Sequence, residues 1–157
     1  MGMRVGLGVD AHRLEPGVPL MLGTLPIAHA AGLAGHSDGD VVAHAICDAL
    51  LSAAGGPDIG VLFPPGAPEW KGVTGHAMIT HVMERLRADG VSPVNIHVVV
   101  MCEAPRIGPH RDAMQQALTG VVGAPVSVHA TTTDGMGFTG RSEGIACQAV
   151  ALVEVTE

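Results

Sequence analysis

The sequence places an aspartate and two histidines where they could share one metal ion. Asp10 and His12 lie two residues apart in an alternating segment, so their side chains leave the same face of a strand. His44 lies in a run without proline that predicts a helix. Two imidazoles and one carboxylate suit a catalytic divalent metal, because three protein ligands leave a fourth position open for substrate. Zinc is the leading candidate, although the same residue types could hold non-haem iron.

Two further carboxylates lie one helical turn from His44, Asp40 before it and Asp48 after it. Either could accept a hydrogen bond from the His44 imidazole and fix its orientation. Asp40 could instead be a first-turn carboxylate that interacts with the helix dipole. Six other histidines are interpreted as ordinary surface or core residues, namely His29, His76, His81, His97, His110 and His129.

Two segments that follow predicted strands combine residue types that bind anions. Thr131-Thr132-Thr133-Asp134-Gly135 offers hydroxyls, backbone N–H groups and a carboxylate, which could hold a phosphate with a hydrated metal. Ala104-Pro105-Arg106 could contact a base edge through its backbone and an anion through its guanidinium. By themselves these segments are equally compatible with ordinary strand ends. Phe138-Thr139-Gly140-Arg141 could likewise be only a turn with a solvated arginine.

Hydrophobic periodicity indicates the elements that must position these side chains. Alternation predicts strands over residues 4–10, 94–101, 126–131 and from 145 to the C terminus, and a small hairpin over 20–22 and 25–27. Helices are predicted over about 38–54, with Ser37 as the start of a capping box, over 74–89, and from Gly108-Pro109 onward. Residues 57–72 are rich in proline and glycine, which indicates a mobile functional loop.

This order of elements predicts a mixed α/β fold of the α+β class, in a single domain over residues 1–157. We expect a mixed sheet with helices on one face and the other face free to pack against a second copy. Hydrophobic residues make up 47% of the chain, but Phe63, Trp70 and Phe138 are its only aromatic residues. Aliphatic side chains bury less area than rings, so an oligomer that covers further apolar surface is favoured.

Charge and cysteine content exclude several classes of protein. Eight basic residues against fifteen acidic ones give a net charge of −7, and the basic residues are scattered, so neither nucleic acid nor an anionic membrane is expected as a partner. No apolar run approaches the ~20 residues of a membrane span, and no signal-peptide pattern opens the sequence, so a cytoplasmic protein is expected. Cys47, Cys102 and Cys147 are too widely spaced to indicate a thiolate zinc site. The Gly6-x-Gly8-x-Asp10 segment lacks the third glycine of a dinucleotide fingerprint.

The candidate residues fall in blocks that follow one another in register over nearly the whole chain. These blocks are Gly8-Val9-Asp10-Ala11-His12-Arg13, Gly35-His36-Ser37-Asp38-Gly39-Asp40-Val41-Val42-Ala43-His44, Asp58-Ile59-Gly60-x-Leu62-Phe63-Pro64, and Ala130-Thr131-Thr132-Thr133 with Gly137-Phe138-Thr139-Gly140-Arg141-x-Glu143-Gly144-Ile145-Ala146. Together they resemble the 2-C-methyl-D-erythritol 2,4-cyclodiphosphate synthase family of the non-mevalonate isoprenoid pathway.

The resemblance implies a homotrimer whose sheets face a three-fold axis, with each active site between neighbouring subunits. It also implies a divalent-metal-dependent phosphorus–oxygen lyase. In this reaction the 2-phosphate of 4-diphosphocytidyl-2-C-methyl-D-erythritol 2-phosphate attacks the β-phosphorus, closes a cyclic diphosphate and expels CMP. The attacking group is already an anionic phosphate, so the protein's task is to neutralise and align the two phosphates.

The resemblance also implies a role for each matching residue. Zinc would be held by Asp10, His12 and His44, and His36 and Thr132 would act in catalysis, with Ser37 positioning phosphate. A second ion, Mg²⁺ or Mn²⁺, would use Asp134, and an isoprenoid diphosphate could occupy an axial cavity near Arg141 and Glu143. Substrate contacts would come from Asp10, His12, His36, Ser37, Asp58, Gly60, Cys102, Ala104, Pro105, Arg106, Ile107, Gly108, Thr131, Thr132, Thr133, Asp134, Phe138 and Arg141.

The chain departs from the family pattern in the loop after Phe63. Family members commonly carry two carboxylates after the Phe-Pro pair, whereas this loop continues as Pro65-Gly66-Ala67. Asp134 also replaces a usual glutamate, and Arg106 a usual lysine. These differences predict weaker binding or altered loop closure. They leave open a non-catalytic trimer that binds cytidine nucleotides or isoprenoid diphosphates, and the ligand set leaves open an iron-dependent oxygenase.

Overall fold

A computed structural model describes residues 1–156 of the chain. The strands are β1 (Gly2–Pro16), β2 (Leu20–Leu22), β3 (Leu25–Ile27), β4 (Ala31–Leu33), β5 (Val91–Met101), β6 (Val126–Thr131) and β7 (Gly144–Val155). The α-helices are α1 (Val41–Ala54), α2 (Ile59–Leu62), α3 (Gly75–Ala88), α4 (Arg111–Val122) and α5 (Gly137–Gly140), with 3₁₀ turns at Pro68–Trp70 and Gly108–His110. Among these residues no helix is long and apolar enough to cross a membrane.

Five strands form one mixed sheet in the order β4-β1-β7-β5-β6. β5 and β6 run parallel, whereas the β1–β4, β1–β7 and β5–β7 pairs are antiparallel. β2 and β3 form the separate hairpin that the sequence predicts. The mixed sheet in a single α/β domain is therefore confirmed.

The helices cover one face of the sheet and leave the other face open. The inward side chains of β7, from Cys147 to Val153, are buried in the core that α1 contacts. On the opposite face of β1, four apolar side chains are between 55% and 67% exposed, namely Met3, Val5, Leu7 and Val9. The predicted apolar alternation of β1 thus exists, but its large side chains point away from the core of the subunit.

Two glycines on the inner face of β1 allow α1 to lie directly on the strand. A Cβ atom on Gly6 would stand 2.1 Å from the carbonyl oxygen of Ala49, and one on Gly8 would stand 2.0 Å from that of Ala45. Both glycines are buried. Helix backbone and strand backbone are therefore in contact, which only glycine permits.

Two predicted boundaries near the histidines are wrong. β1 does not end at Asp10 but continues to Pro16, because Asp10 and His12 pair with β7 and the following residues pair with β4. α1 begins at Val41 and its N-cap is Asp40, not Ser37, since the Asp40 side chain accepts hydrogen bonds from the N–H groups of Val42 and Ala43.

The other predicted elements are present with small differences. β5 starts three residues earlier than expected, and a bulge near Pro93 leaves Val94 37% exposed instead of on the buried face. The segment predicted as a loop contains α2 and a 3₁₀ turn. β4 and α5 were not expected, because elements of three or four residues are too short to show a period.

The contact between β1 and α1 predicts that Gly6→Ala strongly destabilises the fold. The added methyl group meets backbone atoms that cannot rotate away, so we expect a loss of about 3 kcal/mol or more in the free energy of unfolding. Chemical denaturation measures this loss. Gly120→Ala is the control, because this helical glycine has open space around it and the change should stabilise by about 0.5–1 kcal/mol. Equal stability of Gly6→Ala and the wild type would contradict the close packing.

Candidate metal centre

The three predicted metal ligands meet at one point between β1 and α1. Asp10 Oδ2 lies 2.8 Å from His12 Nε2 and 3.0 Å from His44 Nδ1, and the two ring nitrogens are 3.1 Å apart. Asp10 and His12 come from the same face of β1, and His44 comes from the first turn of α1. The structure thus brings together residues that are 34 positions apart in the sequence.

Hydrogen bonds on the far side of each ring orient both imidazoles. His12 Nδ1 lies 2.7 Å from the carbonyl oxygen of Ala34, which can only accept, so Nδ1 carries the proton and Nε2 presents a lone pair. His44 Nε2 lies 3.0 Å from Ser37 Oγ, which also accepts a hydrogen bond from the N–H of Gly39. When His44 donates its Nε2–H to Ser37, its Nδ1 presents a lone pair to the same point as His12.

This donor set fits a divalent transition metal. Three lone-pair atoms face one another, an arrangement that is repulsive until a cation lies between them. Ligand atoms about 2.0–2.1 Å from zinc in tetrahedral geometry are about 3.3 Å apart, and the three observed separations lie within about 0.5 Å of that value. The group Asp10, His12 and His44 is therefore a candidate metal site with carboxylate and imidazole donors.

The charges at this point follow from burial and hydrogen bonding. When no cation lies between the three groups, the ring nitrogens can instead carry protons and donate to Asp10. Burial raises the pKa of Asp10, but these hydrogen bonds with His12 and His44 outweigh it and hold the pKa at about 2. Burial lowers the pKa of His12, yet its hydrogen bonds to Asp10 and to the Ala34 carbonyl leave that pKa above its usual value. Asp10 is therefore an anion at neutral pH.

Neither carboxylate that flanks His44 orients its ring, so this expectation is wrong. The buried Asp40 side chain accepts from the N–H groups of Gly23, Thr24, Val42 and Ala43. Burial raises the pKa of Asp40, and these N–H groups oppose the rise.

Asp48 serves a different element. Its Oδ1 accepts from the N–H of Ile59 at 3.0 Å and so ties the start of α2 to α1. Burial raises the pKa of Asp48, and the hydrogen bond from the Ile59 N–H offsets only part of this rise. Ser37 is the residue that orients His44, and its sequence neighbourhood carries no signal that would assign it to the ring rather than to a helix cap.

The metal point opens into a pocket of about 720 Å³. Among the predicted site residues, the pocket includes Asp10, His12, His36, Ser37, His44 and Gly60. Its remaining wall is formed largely by the segment after α2. Val73, just before α3, and Met78, within α3, also contribute. These wall residues are Gly35, Ile59, Phe63, Pro64, Pro65, Gly66, Ala67, Pro68, Trp70, Lys71, Val73 and Met78. The sequence predicts a functional loop here but not that prolines and rings would line the site.

The other predicted site residues lie outside this pocket. Segments 102–108 and 131–134 follow the neighbouring parallel strands β5 and β6, where the Cys102 N–H donates to the Thr131 carbonyl at 3.1 Å. Burial raises the pKa of the Cys102 thiol to about 11, so this cysteine is not a thiolate at neutral pH.

Three more predicted residues lie in other hollows or on the surface. Asp58 lines a separate hollow with Asp48, and Phe138 lines another with Arg13. Arg141 Nη2 lies 3.4 Å from Glu143 Oε2 at the exposed surface. Within a single copy of the chain, the predicted site residues that line the metal pocket are therefore only Asp10, His12, His36, Ser37, His44 and Gly60.

Comparison with known proteins gives a consistent result. The sequence model of the YgbB family matches residues 3–154. The chain is 52% identical over 154 residues to the bifunctional enzyme IspD/IspF of Erythrobacter litoralis, an alignment that covers 96% of this chain and 40% of that protein. It is 48% identical over 154 residues to the 2-C-methyl-D-erythritol 2,4-cyclodiphosphate synthase of Symbiobacterium thermophilum, covering 96% of this chain and 98% of that one.

The fold matches as well. A solved 2C-methyl-D-erythritol-2,4-cyclodiphosphate synthase in its CDP-bound form superposes with a TM-score of 0.89 at 36% identity, over 96% of this chain and 100% of the other. The chain spans about 40% of the length of the bifunctional relatives and nearly all of the shorter synthases.

The hydrogen bond between Ser37 and His44 predicts that Ser37→Ala weakens metal binding. Loss of the acceptor frees the His44 ring, so we expect a 10- to 100-fold rise in the Kd for Zn²⁺, in line with about that range for groups that orient metal ligands. Competition with a chromophoric chelator measures the Kd. The control is Ser52→Ala. Ser52 is an exposed serine on α1, the helix that carries His44, and this variant should bind Zn²⁺ like the wild type. An unchanged Kd in Ser37→Ala would show that the hydrogen bond does not orient the ring.

Proposed function

The chain belongs to the YgbB family, and we propose that it is a 2-C-methyl-D-erythritol 2,4-cyclodiphosphate synthase. It would convert 4-diphosphocytidyl-2-C-methyl-D-erythritol 2-phosphate to 2-C-methyl-D-erythritol 2,4-cyclodiphosphate and CMP. The observation that carries the proposal is the convergence of Asp10, His12 and His44 in the lining of a pocket, in a chain nearly coextensive with a named synthase. We further propose that residues 1–157 act as one synthase domain, since the family match extends from 3 to 154. A cytoplasmic location remains a prediction from the sequence.

The reaction needs charge neutralisation and alignment more than an activated nucleophile. A 2-phosphate oxygen forms a bond to the β-phosphorus, the bond from the β-phosphorus to the bridging oxygen breaks, and its electron pair leaves with CMP. A divalent cation on Asp10, His12 and His44 would supply a Lewis acid that neutralises phosphate charge. We propose zinc for this site and Mg²⁺ or Mn²⁺ for a second site that uses Asp134.

Protein groups beside the metal point have the polarity that a phosphate requires. In the tautomer that leaves His44 Nδ1 free for a metal, Ser37 Oγ accepts from Gly39 and His44, so its own O–H is available to donate to a phosphate oxygen. The exposed His36 side chain lies at the same wall, and its backbone carbonyl accepts from the N–H of Gly72 at 2.9 Å. His36 and Ser37 would therefore hold the phosphates in line. Thr132, which lies outside this pocket in the segment after β6, would complete the alignment.

The division of the predicted residues into two groups supports a site between subunits. The cytidine-binding candidates 102–108 and 131–134 do not line the metal pocket of their own chain. The open face of the sheet carries exposed apolar side chains on β1 and, at Val150, on β7. We propose a homotrimer in which these faces meet around a three-fold axis and each pocket receives the cytidine segments of a neighbour. The CDP-bound relative supports a cytidine diphosphate substrate.

A second candidate function is a trimer that binds cytidine nucleotides or isoprenoid diphosphates without turnover. The absence of carboxylates at Pro65 and Ala67 favours it, since the loop cannot hold sugar hydroxyls in the usual way. A hollow lined by Ala11, Phe138 and Arg13 also offers apolar walls and a cation to an axial isoprenoid diphosphate, which would have to displace Glu143 from its 3.1 Å ion pair with Arg13. Binding at that hollow is compatible with either function.

The proposed function predicts that metal-site variants lose turnover. With Zn²⁺ and Mg²⁺ supplied, the wild type should release CMP from the substrate. Asp10→Ala and His44→Ala should be slower by at least about 10³-fold, because Lewis-acid stabilisation supplies several kcal/mol. His29→Ala, an exposed histidine outside the pocket, is the matched control. Unchanged turnover in either metal-site variant would refute the site, and tight CMP binding without turnover in the wild type would favour the binder. Iron-dependent oxygen uptake would instead support an oxygenase.

The proposed trimer predicts complementation between two inactive variants. Asp10→Ala removes the metal side of the site, and Thr132→Ala removes the side that a neighbour would supply. After the two proteins are mixed in equal amounts, unfolded and reassembled, about one quarter of the sites should be intact if subunits exchange randomly. Turnover near that fraction supports a shared site. Reassembled mixtures that stay as inactive as the single variants would place both groups within one subunit.

A further inference from the structure

Three rings pack together at the pocket wall, two of them in the wall itself and the third behind it. The ring centroids of Phe63 and Trp70 lie 4.7 Å apart with an interplanar angle of 78°, an edge-to-face contact. His81, from α3, completes the cluster at 5.1 Å from Trp70 and 5.5 Å from Phe63, again edge to face. Such contacts are favourable because the positive edge of one ring meets the negative face of another. The ring cluster of Phe63, Trp70 and His81 thus joins the pocket loop to a rigid helix.

Residues 64–69, between Phe63 and Trp70, are the part of the loop that this ring cluster supports. Before the segment, the hydrogen bond from Ile59 to Asp48 fixes α2. After it, the Gly72 N–H donates to the His36 carbonyl, and the Val73 carbonyl accepts from the Asp38 N–H. Between these anchors, residues 64–69 are exposed apart from a half-buried Ala67, yet several of them line the metal pocket.

The composition of this segment favours a preformed wall. Pro64, Pro65 and Pro68 restrict the backbone, so little conformational entropy remains to be lost on binding. Neither Pro65 nor Ala67 carries a charge that a bound ligand could attract. The one carboxylate of the segment, Glu69, does not line the pocket, so the loop position depends on the hydrogen-bonded anchors at its two ends and on packing against the protein.

The location of His81 separates it from the structural core of α3. The core face of that helix consists of buried aliphatic side chains, namely Met78, Ile79, Val82, Met83 and Leu86. His81 is only half-buried, at the margin of that face, where its ring contacts the loop. It does not line the metal pocket itself. Removal of its ring would leave a gap beside the buried Phe63 and beside Trp70, while the aliphatic contacts of α3 stay in place.

We propose that His81 is a positioning residue that holds residues 64–69 as a preformed wall of the pocket through Phe63 and Trp70. This rests on the proposed function. Because His81 touches neither the metal point nor the pocket interior, its contribution falls on substrate binding and not on the chemical step.

Kinetics of three purified full-length variants test the consequence for substrate. His81→Ala should raise KM about tenfold, equivalent to about 1.4 kcal/mol, with kcat within about twofold of the wild type. His81→Phe keeps a ring that can pack edgewise and should restore KM. His76→Ala, on an exposed position of the same helix, should behave like the wild type. An unchanged KM in His81→Ala, or an equal loss in His81→Phe, would overturn the proposal.

Trp70 is the only tryptophan of the chain, so its fluorescence reports on the loop without any assay of turnover. In His81→Ala, acrylamide should quench Trp70 more efficiently and its emission should move to longer wavelength, while far-UV circular dichroism stays unchanged. His81→Phe and His76→Ala should match the wild type. Identical quenching in His81→Ala and the wild type would overturn the positioning role. An inactive wild type would overturn only the proposed function, and the quenching would still decide the role of His81.

Discussion

The direct contact between the backbone of α1 and the glycines of β1 is the constraint on which the metal centre depends. With a side chain at Gly6 or Gly8, the helix would have to move outward by more than an ångström, because the nearest atoms are carbonyl oxygens of its own backbone. His44 would move with it. The three donor atoms are now within 3.1 Å of one another, so a displacement of that size would separate the imidazole from Asp10 and His12. The small residues of β1 thus determine whether a strand ligand and a helix ligand can share one cation.

Asp40 fixes the position of α1 along the helix axis. Burying a carboxylate is costly, and here four backbone N–H donors compensate, two from the start of α1 and two from the turn of the β2–β3 hairpin. The hairpin and the helix are therefore joined through one side chain, four residues before His44. The spacing suggested that Asp40 orients the His44 ring. Asp40 instead fixes the start of α1 and thereby the position of the His44 ring over the sheet. The glycines control the distance of α1 from β1, and Asp40 controls its register.

The sequence was sufficient for the features that depend on local pattern and on the blocks of residues it contains. The three long helices, the long strands and the mixed sheet with one open face were predicted because periodicity reports on them directly. Residue type and spacing only suggested the ligand set Asp10, His12 and His44, and the resemblance of the sequence blocks to a known family supported it. The failures concern which of several nearby polar side chains meets a given partner. Ser37 and Asp40 each fit an N-cap by type, and only the tertiary position of the hairpin makes Asp40 the cap and leaves Ser37 for His44. The ring contacts of His81 could not be predicted for the same reason, since its ring partners lie eleven or more residues away in a segment without a period.

The loop composition and the acidity of the chain are parts of one electrostatic problem. Under the proposed function, a protein with a net charge of −7 has to admit a ligand that carries several phosphates, so favourable potential has to be created locally. Asp10 alone would repel such a ligand, whereas a divalent cation on one carboxylate and two neutral imidazoles leaves one net positive charge at the floor of the pocket. The loop carries Pro65 and Ala67 where family members commonly carry carboxylates, so these positions add no negative charge to the pocket lining, and Lys71 adds a positive one. The loop then gives up polar contacts to the sugar and depends on packing for its position, which makes the ring cluster beneath it more consequential in this chain than in one whose loop carries those acids.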